Sequence, residues 1–355
     1  MSVPAKIETW QMIEPGKLMR TSIDVPDLKA GEVLVEVAGC GVCHTDVGYF
    51  YDGVPTVTKP PLTLGHEIAG RVVAGVEGLI GKEVIIPAVL PCNNCPICAS
   101  GRGNRCLKQA MPGNSLGIYG GFASHIPVPA EDLCVVHDRK GLPLEFLAVV
   151  ADAITSPYQA AKRANIQDGD IVVITGATGG LGVYMTQIAA SMGAKEVIAI
   201  ARNKEKLERS LEFGATHTIS TQDKSIKDVR DEFRAYSKSK KLPSYGIKIF
   251  ECTGTKIGQE ISLELLTFVS KLLIVGFGTS KSEFMFSRLM AFDAEVIGTW
   301  GCPPKYYPEV LQLVLDEKIK VAPFVDIRPM SQIEDAFKAS HAGNLMKRIV
   351  LTPDF

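Results

Sequence analysis

Ile171-Val172-Val173-Ile174, followed after one residue by Gly176-Ala177-Thr178-Gly179-Gly180-Leu181-Gly182, decides the fold of this chain. A short run of β-branched apolar residues reads as a buried strand, and the glycines after it read as a tight turn. Beyond the turn a helix is expected to about Met192, and Val197-Ile198-Ala199-Ile200 reads as the next strand. Strand, glycine turn, helix and strand make a parallel unit whose turn lets backbone approach a pyrophosphate at the helix N-terminus. A dinucleotide held at Gly176, Gly179, Gly180 and Gly182 is therefore expected. A purely structural turn is the alternative, and the strands on both sides weigh against it.

The pattern continues outward. Lys204 to Phe213 reads as a helix, Ile247 to Phe250 and Leu272 to Val275 as strands, and Ile257 to Leu266 as a helix between them. Alternating strands and helices imply a doubly wound parallel sheet with helices on both faces, an α/β Rossmann-type domain. The charged run Asp223 to Lys241 reads as a solvated helix. Residues 1 to about 150 differ: Glu32 to Val37 alternates with period two, and Ile68 to Val76 and Val84 to Ile86 are further apolar strands, so a mostly β domain is expected. Domain limits of 1–152, 153–298 and 299–355 follow, the last being a return to the first domain.

Two cysteine and histidine constellations precede the turn. Cys92, Cys95, Cys98 and Cys106 are spaced C-x2-C-x2-C-x7-C, which suits a closed tetrahedral zinc site. A nucleic-acid-binding zinc ribbon is the alternative, with Arg102, Arg105 and Lys108 nearby. Cys43-His44-Thr45-Asp46 and His66-Glu67 suit an open zinc site built from distant positions. Singly, Cys43 and His66 read as a buried thiol and a core histidine; their company is what points to a metal. Thr45 can relay a proton beside the metal, and Asp46 can orient a ligand.

The strand after the turn ends Ile200-Ala201-Arg202-Asn203, without the carboxylate that usually takes the ribose 2′-hydroxyl of NAD. Arg202 fits either a salt bridge to the 2′-phosphate of NADP or stacking on adenine, so NADP stays open beside NAD.

The chain has 355 residues and a net charge of −1, with no basic field to hold nucleic acid or an anionic membrane. No apolar run reaches the length of a membrane span, and residues 1 to 10 lack the apolar core of a signal peptide. Of nine cysteines, five fall in metal-type spacings, which suits metal ligands plus buried thiols in a reducing cytoplasm rather than a disulfide framework.

Gly-Val-Cys-His-Thr-Asp at 41–46, Gly-His-Glu at 65–67, the cysteine loop and the glycine turn together resemble the zinc-containing medium-chain dehydrogenase/reductase family, the alcohol dehydrogenases. The resemblance implies a GroES-like catalytic domain beside the Rossmann domain, one catalytic and one structural zinc, NAD, and a homodimer or homotetramer paired near Leu272 to Trp300. It implies Asp152, in the segment Asp152 to Tyr158, as third catalytic ligand after Cys43 and His66. Glu67 would bind zinc when substrate is absent, and His44 and Arg348 would lie near the pyrophosphate. Gly48 stands where many members carry a relay histidine. The stretches 48–55, 111–115 and 290–307 are similar to the branch acting on 6-hydroxycyclohex-1-ene-1-carbonyl-CoA in anaerobic benzoyl-CoA degradation. That similarity implies a CoA thioester substrate. A simple secondary alcohol or polyol is the alternative.

Overall fold

The computed structural model describes residues 3–343 and 345–355. It divides into two compact units: 1–155 with 301–316 and 321–355, and 156–300 with 317–320. The short return at 317–320 is pinned by Gln187, whose Oε1 accepts from Lys320 N at 2.6 Å and whose Nε2 donates to Lys320 O. No local pattern announces that exchange.

The second unit holds a six-stranded parallel sheet in the order His217–Ser220, Glu196–Ala201, Ile171–Thr175, Lys248–Glu251, Lys271–Ile274, Glu295–Gly298. The first strand to form in sequence, Ile171–Thr175, is central and wholly buried, which is why it is apolar on both faces. Chain order reverses beside it, between Glu196–Ala201 and Lys248–Glu251. The carboxyl end of such a switch point is where open parallel sheets take ligands. The charged run forms helix Ile226–Ser239, started by a capping box between Ser225 and Asp228. It is not solvated all round, because Val229 and Phe233 are buried in the core of the unit.

The first unit is built on a seven-stranded sheet in which Glu32–Gly41 pairs with Arg348–Thr352, Glu67–Gly75 and His125–Pro129. Period-two alternation in Glu32–Gly41 does not translate into one wet face. Val33, Val35 and Val37 enter the main core, while Leu34 enters a second cluster with Ile7, Val73 and Ala123. Among the described residues no helix is long and apolar enough to cross a membrane.

Candidate active site and metal centres

Strand Glu32–Gly41 ends two residues before Cys43, which becomes the N-cap of helix His44–Tyr51. The cap is reciprocal to Asp46: its fully buried carboxylate accepts the Cys43 N–H at 2.9 Å through Oδ2. Oδ1 accepts the Gly65 N–H at 3.0 Å and faces His66 Nδ1 at 3.4 Å. One side chain therefore fixes both approaches to the site, and it turns His66 Nε2 the other way. That nitrogen lies 3.8 Å from Asp152 Oδ2, which in turn lies 3.9 Å from Cys43 Sγ.

Donor atoms of Cys43, His66, Glu67 and Asp152 all fall within 4.8 Å of one another. Separations just under 4 Å are long for hydrogen bonds and near the edges of a tetrahedron with bonds of about 2.0–2.3 Å. Burial pulls the pKa of His66 down, but Asp46, Cys43 and Asp152 outweigh this and hold it well above the usual range. A buried histidine set among Asp46, Cys43 and Asp152 suits a cation at their centre, so the donor set fits zinc. A sulfur, a nitrogen and a carboxylate oxygen also match the mixed ligands that zinc accepts. Thr45 Oγ1 sits 3.6 Å from Cys43 Sγ, at the rim of the set.

Asp152 follows the buried turn Leu144–Ala151. The Ala151 carbonyl accepts from the Tyr307 hydroxyl and from Thr155 Oγ1, the latter at 3.1 Å. Tyr307 is fully buried, and its oxygen also accepts the Ala88 N–H at 3.1 Å. It thus clamps the ligand-bearing segment from 155 residues away, a role no sequence pattern marks.

Arg348, expected near the pyrophosphate, is held by an acidic partner. Its guanidinium makes a two-pronged ion pair with Glu67, with Nε 2.7 Å from Oε2 and Nη2 bonded to Oε1. The reason is the register. Gly41 pairs with Glu67 on one side and Val350 on the other, and a Cβ on Gly41 would come within 2.2 Å of Glu67 Oε2. The missing side chain leaves the corridor that the ion pair fills. Burial pushes the Glu67 carboxyl up to about 7 while Arg348 pulls against it. Glu67 is one of the four donors, and its carboxylate is also engaged by Arg348. His44 is exposed at the start of its helix; burial of its ring lowers its pKa, with Asp52 opposing.

In the second centre the sulfurs of Cys92, Cys95, Cys98 and Cys106 also lie within 4.8 Å. Cys92 N and Lys108 N both point at Cys106 Sγ at 3.2 Å. The backbone N–H of Leu107, then that of Cys98, hold the Cys95 thiol down at about 6. N–H donors aimed at sulfur stabilise thiolates, the form that ligates zinc. All nine cysteines are free thiols.

The glycine turn is as tight as its composition suggests. Gly176 has φ of +78°, and a Cβ on Gly182 would stand 2.1 Å from Gly176 O. Helix Gly182–Ser191 follows without a side-chain cap, and Gly179 and Gly180 are exposed. Uncapped N–H groups beside exposed glycines fit a pyrophosphate. Arg202 is exposed just past strand Glu196–Ala201. Lys206 has its pKa lowered by burial and by Arg202, so two cations share that corner. Sequence reading missed Lys206, which lies in the first turn of helix Lys204–Ser210.

Residues 29–138 match the alcohol dehydrogenase GroES-like domain, and residues 180–316 match the zinc-binding dehydrogenase model. An alcohol dehydrogenase of Geobacillus stearothermophilus is 29% identical, covering 94% of this chain and 95% of its own length. A sorbitol dehydrogenase of Halalkalibacterium halodurans is 27% identical, covering 91% and 92%. The solved structure of galactitol-1-phosphate dehydrogenase from Escherichia coli superposes with a TM-score of 0.86 at 25% identity, covering 98% of this chain and 100% of that one.

Proposed function

The chain belongs to the zinc-containing medium-chain alcohol dehydrogenase family, and from that premise we propose that it oxidises a ring secondary alcohol placed β to the carbonyl of a CoA thioester. It is a zinc-dependent NAD(P) dehydrogenase acting on a small molecule. The finer reading is 6-hydroxycyclohex-1-ene-1-carbonyl-CoA going to its 6-oxo product, with NAD⁺ taking the hydride.

One observation carries the chemistry: Cys43, His66 and Asp152 converge at 3.8–3.9 Å with the Thr45 hydroxyl at their rim. A zinc ion held there supplies Lewis acidity, which lowers the pKa of a substrate hydroxyl. Thr45 receives the hydroxyl proton. Asp46 keeps His66 in the orientation that offers Nε2. Glu67, within reach of the three ligands, is held by its ion pair with Arg348. Gly176, Gly179, Gly180 and Gly182 cradle the pyrophosphate in the second unit. Cys92, Cys95, Cys98 and Cys106 hold the structural zinc.

The substrate reading rests on the resemblance of stretches 48–55, 111–115 and 290–307 to the CoA-thioester branch, the first two of which touch through Asn114 and Tyr49. Val57 N donates to Asn114 Oδ1 at 2.7 Å, and Asn114 Nδ2 donates to the Tyr49 hydroxyl at 2.7 Å. The two stretches thus meet on the helix that carries Thr45.

A second reading is a simple secondary alcohol or polyol as substrate, favoured by the alcohol and sorbitol dehydrogenases among the relatives. The alternative coenzyme in either reading is NADP, for which Arg202 beside Lys206 would meet the 2′-phosphate. We also propose a homodimer through the region 272–300, where Met285, Phe286 and Met290 are exposed beside the edge strand Glu295–Gly298.

The test is reduction of NAD⁺ and NADP⁺ in parallel with 6-hydroxycyclohex-1-ene-1-carbonyl-CoA, cyclohexanol and sorbitol. The proposal expects the CoA ester with NAD⁺ to be fastest. Turnover of cyclohexanol or sorbitol with none of the CoA ester would discard it in favour of the second reading.

A further inference from the structure

Glu251 ends strand Lys248–Glu251, paired in register with Thr175 on the strand that feeds the glycine turn. It is fully buried, yet among the described residues no Lys, Arg or His forms an ion pair with it. Nothing in the zinc chemistry uses it.

All of its partners are donors. Oε1 accepts the Thr253 N–H at 2.7 Å and the Thr253 hydroxyl, and the Gly254 N–H reaches both oxygens at 3.2 Å. Burial pushes the carboxyl pKa up, and the Thr253 and Gly254 donors oppose this. A carboxyl proton would find only donors around it, so the geometry is that of an anion. A neutral side chain could fold the same turn. A buried charge without a counter-ion is costly, and it points to a cation brought by a ligand.

The elbow that Glu251 folds, Thr253-Gly254, is wedged between two glycine segments. A Cβ on Gly176 would meet Thr253 Cγ2 at 2.7 Å, and one on Gly276 would meet Gly254 N at 2.2 Å. Glu251 thus stands behind the pyrophosphate turn, about 5 Å sideways from the strand that bears it. The strand on the other side, Glu196–Ala201, leads to Arg202 and the adenosine end. A dinucleotide laid across this switch point therefore runs its nicotinamide end over the Glu251 side.

We propose that Glu251 is the buried counter-charge of the oxidised nicotinamide ring, favouring the cationic coenzyme over forms whose ring is neutral. Its repulsion of the pyrophosphate is common to both forms and cancels between them. The charge favours loading of the oxidised coenzyme and release of the reduced one, the direction that alcohol oxidation requires. The inference rests on the dinucleotide reading of the glycine turn and does not depend on which alcohol is the substrate.

The test is calorimetric titration of the zinc-loaded protein with NAD⁺ and with benzamide adenine dinucleotide, whose ring is planar and uncharged. NADP⁺ and NADPH are titrated in parallel as a second charged and neutral pair. Wild type is expected to bind NAD⁺ more tightly than the benzamide analogue. Glu251→Gln should cut that preference by about 5- to 30-fold, the effect of unit charges about 8–15 Å apart at an effective dielectric of about 20. Glu251→Asp keeps the charge and should keep the preference, whatever both affinities lose. A wild type with no preference for the charged ring overturns the proposal even if Glu251→Gln does not fold. So does a Glu251→Gln variant that weakens both ligands equally, the result that a plain turn cap would give. A wild type that binds neither pair would overturn the dinucleotide reading itself, and the proposal with it.

Discussion

Replacing Asp46 with Asn alters a single atom in the middle of the catalytic site. The carboxylate accepts two buried backbone donors, Cys43 N at 2.9 Å and Gly65 N at 3.0 Å, one on each oxygen. An amide offers only one acceptor. Whichever way it turns, its NH₂ faces one of those N–H groups. The orphaned donor costs about 1–3 kcal/mol, and the surviving bond loses about 1 kcal/mol of charge assistance. Asp46→Asn should therefore destabilise the protein by about 2–4 kcal/mol. The same change removes the anion facing His66 Nδ1 at 3.4 Å, so zinc affinity at the catalytic site should fall about 10–100-fold. Urea unfolding in zinc-containing buffer reads the first quantity, and competition with a chromophoric chelator reads the second. A variant with wild-type midpoint and wild-type zinc release would refute the reasoning that Asp46 organises the site.

Tyr307→Phe leaves the Ala88 N–H without its acceptor and removes one donor from the Ala151 carbonyl, so a loss of about 1–3 kcal/mol is expected by urea unfolding. An unchanged midpoint would show that the clamp on the Asp152 segment is idle. Gly182→Ala places a Cβ against the Gly176 carbonyl and the Ala177 backbone, so the turn must open. Calorimetry should then find weaker binding of both coenzymes, and unaltered binding would contradict a pyrophosphate cradle there. Arg202→Ala should lower kcat/KM for NADP⁺ relative to NAD⁺ by about tenfold or more if the cation grips a 2′-phosphate. A constant ratio would assign Arg202 to stacking or to solvent.

The parts of this architecture that were legible in the sequence are those written over short distances. The glycine turn declares itself within seven residues because strand, turn and helix each impose local demands. The four-cysteine loop declares itself because zinc geometry constrains spacing, whereas the cap that Asp46 makes with Cys43 N emerged only in the fold. Asp152 was accessible only through resemblance, since a lone aspartate has no local signature. The Glu67–Arg348 pair spans 281 positions and exists because strand register aligns both residues over the bare Cα of Gly41. Tyr307 reaches Ala151 and Ala88 across similar distances. Such contacts follow from how distant segments pair and pack, and no periodicity in either segment encodes which partner it will meet. The strand Glu32–Gly41 makes the same point: alternation was read correctly as strand, yet the number of wet faces depends on what packs behind it.

The central claim is that Cys43, His66 and Asp152 form a catalytic zinc centre distinct from the four-cysteine centre. It is tested most directly by counting zinc per chain and measuring alcohol-dependent NAD⁺ reduction in Cys43→Ser and wild type together. The account predicts two zinc ions and turnover in wild type, and one zinc ion, no turnover and an unchanged circular dichroism spectrum in Cys43→Ser. Near-normal turnover in the variant would contradict it.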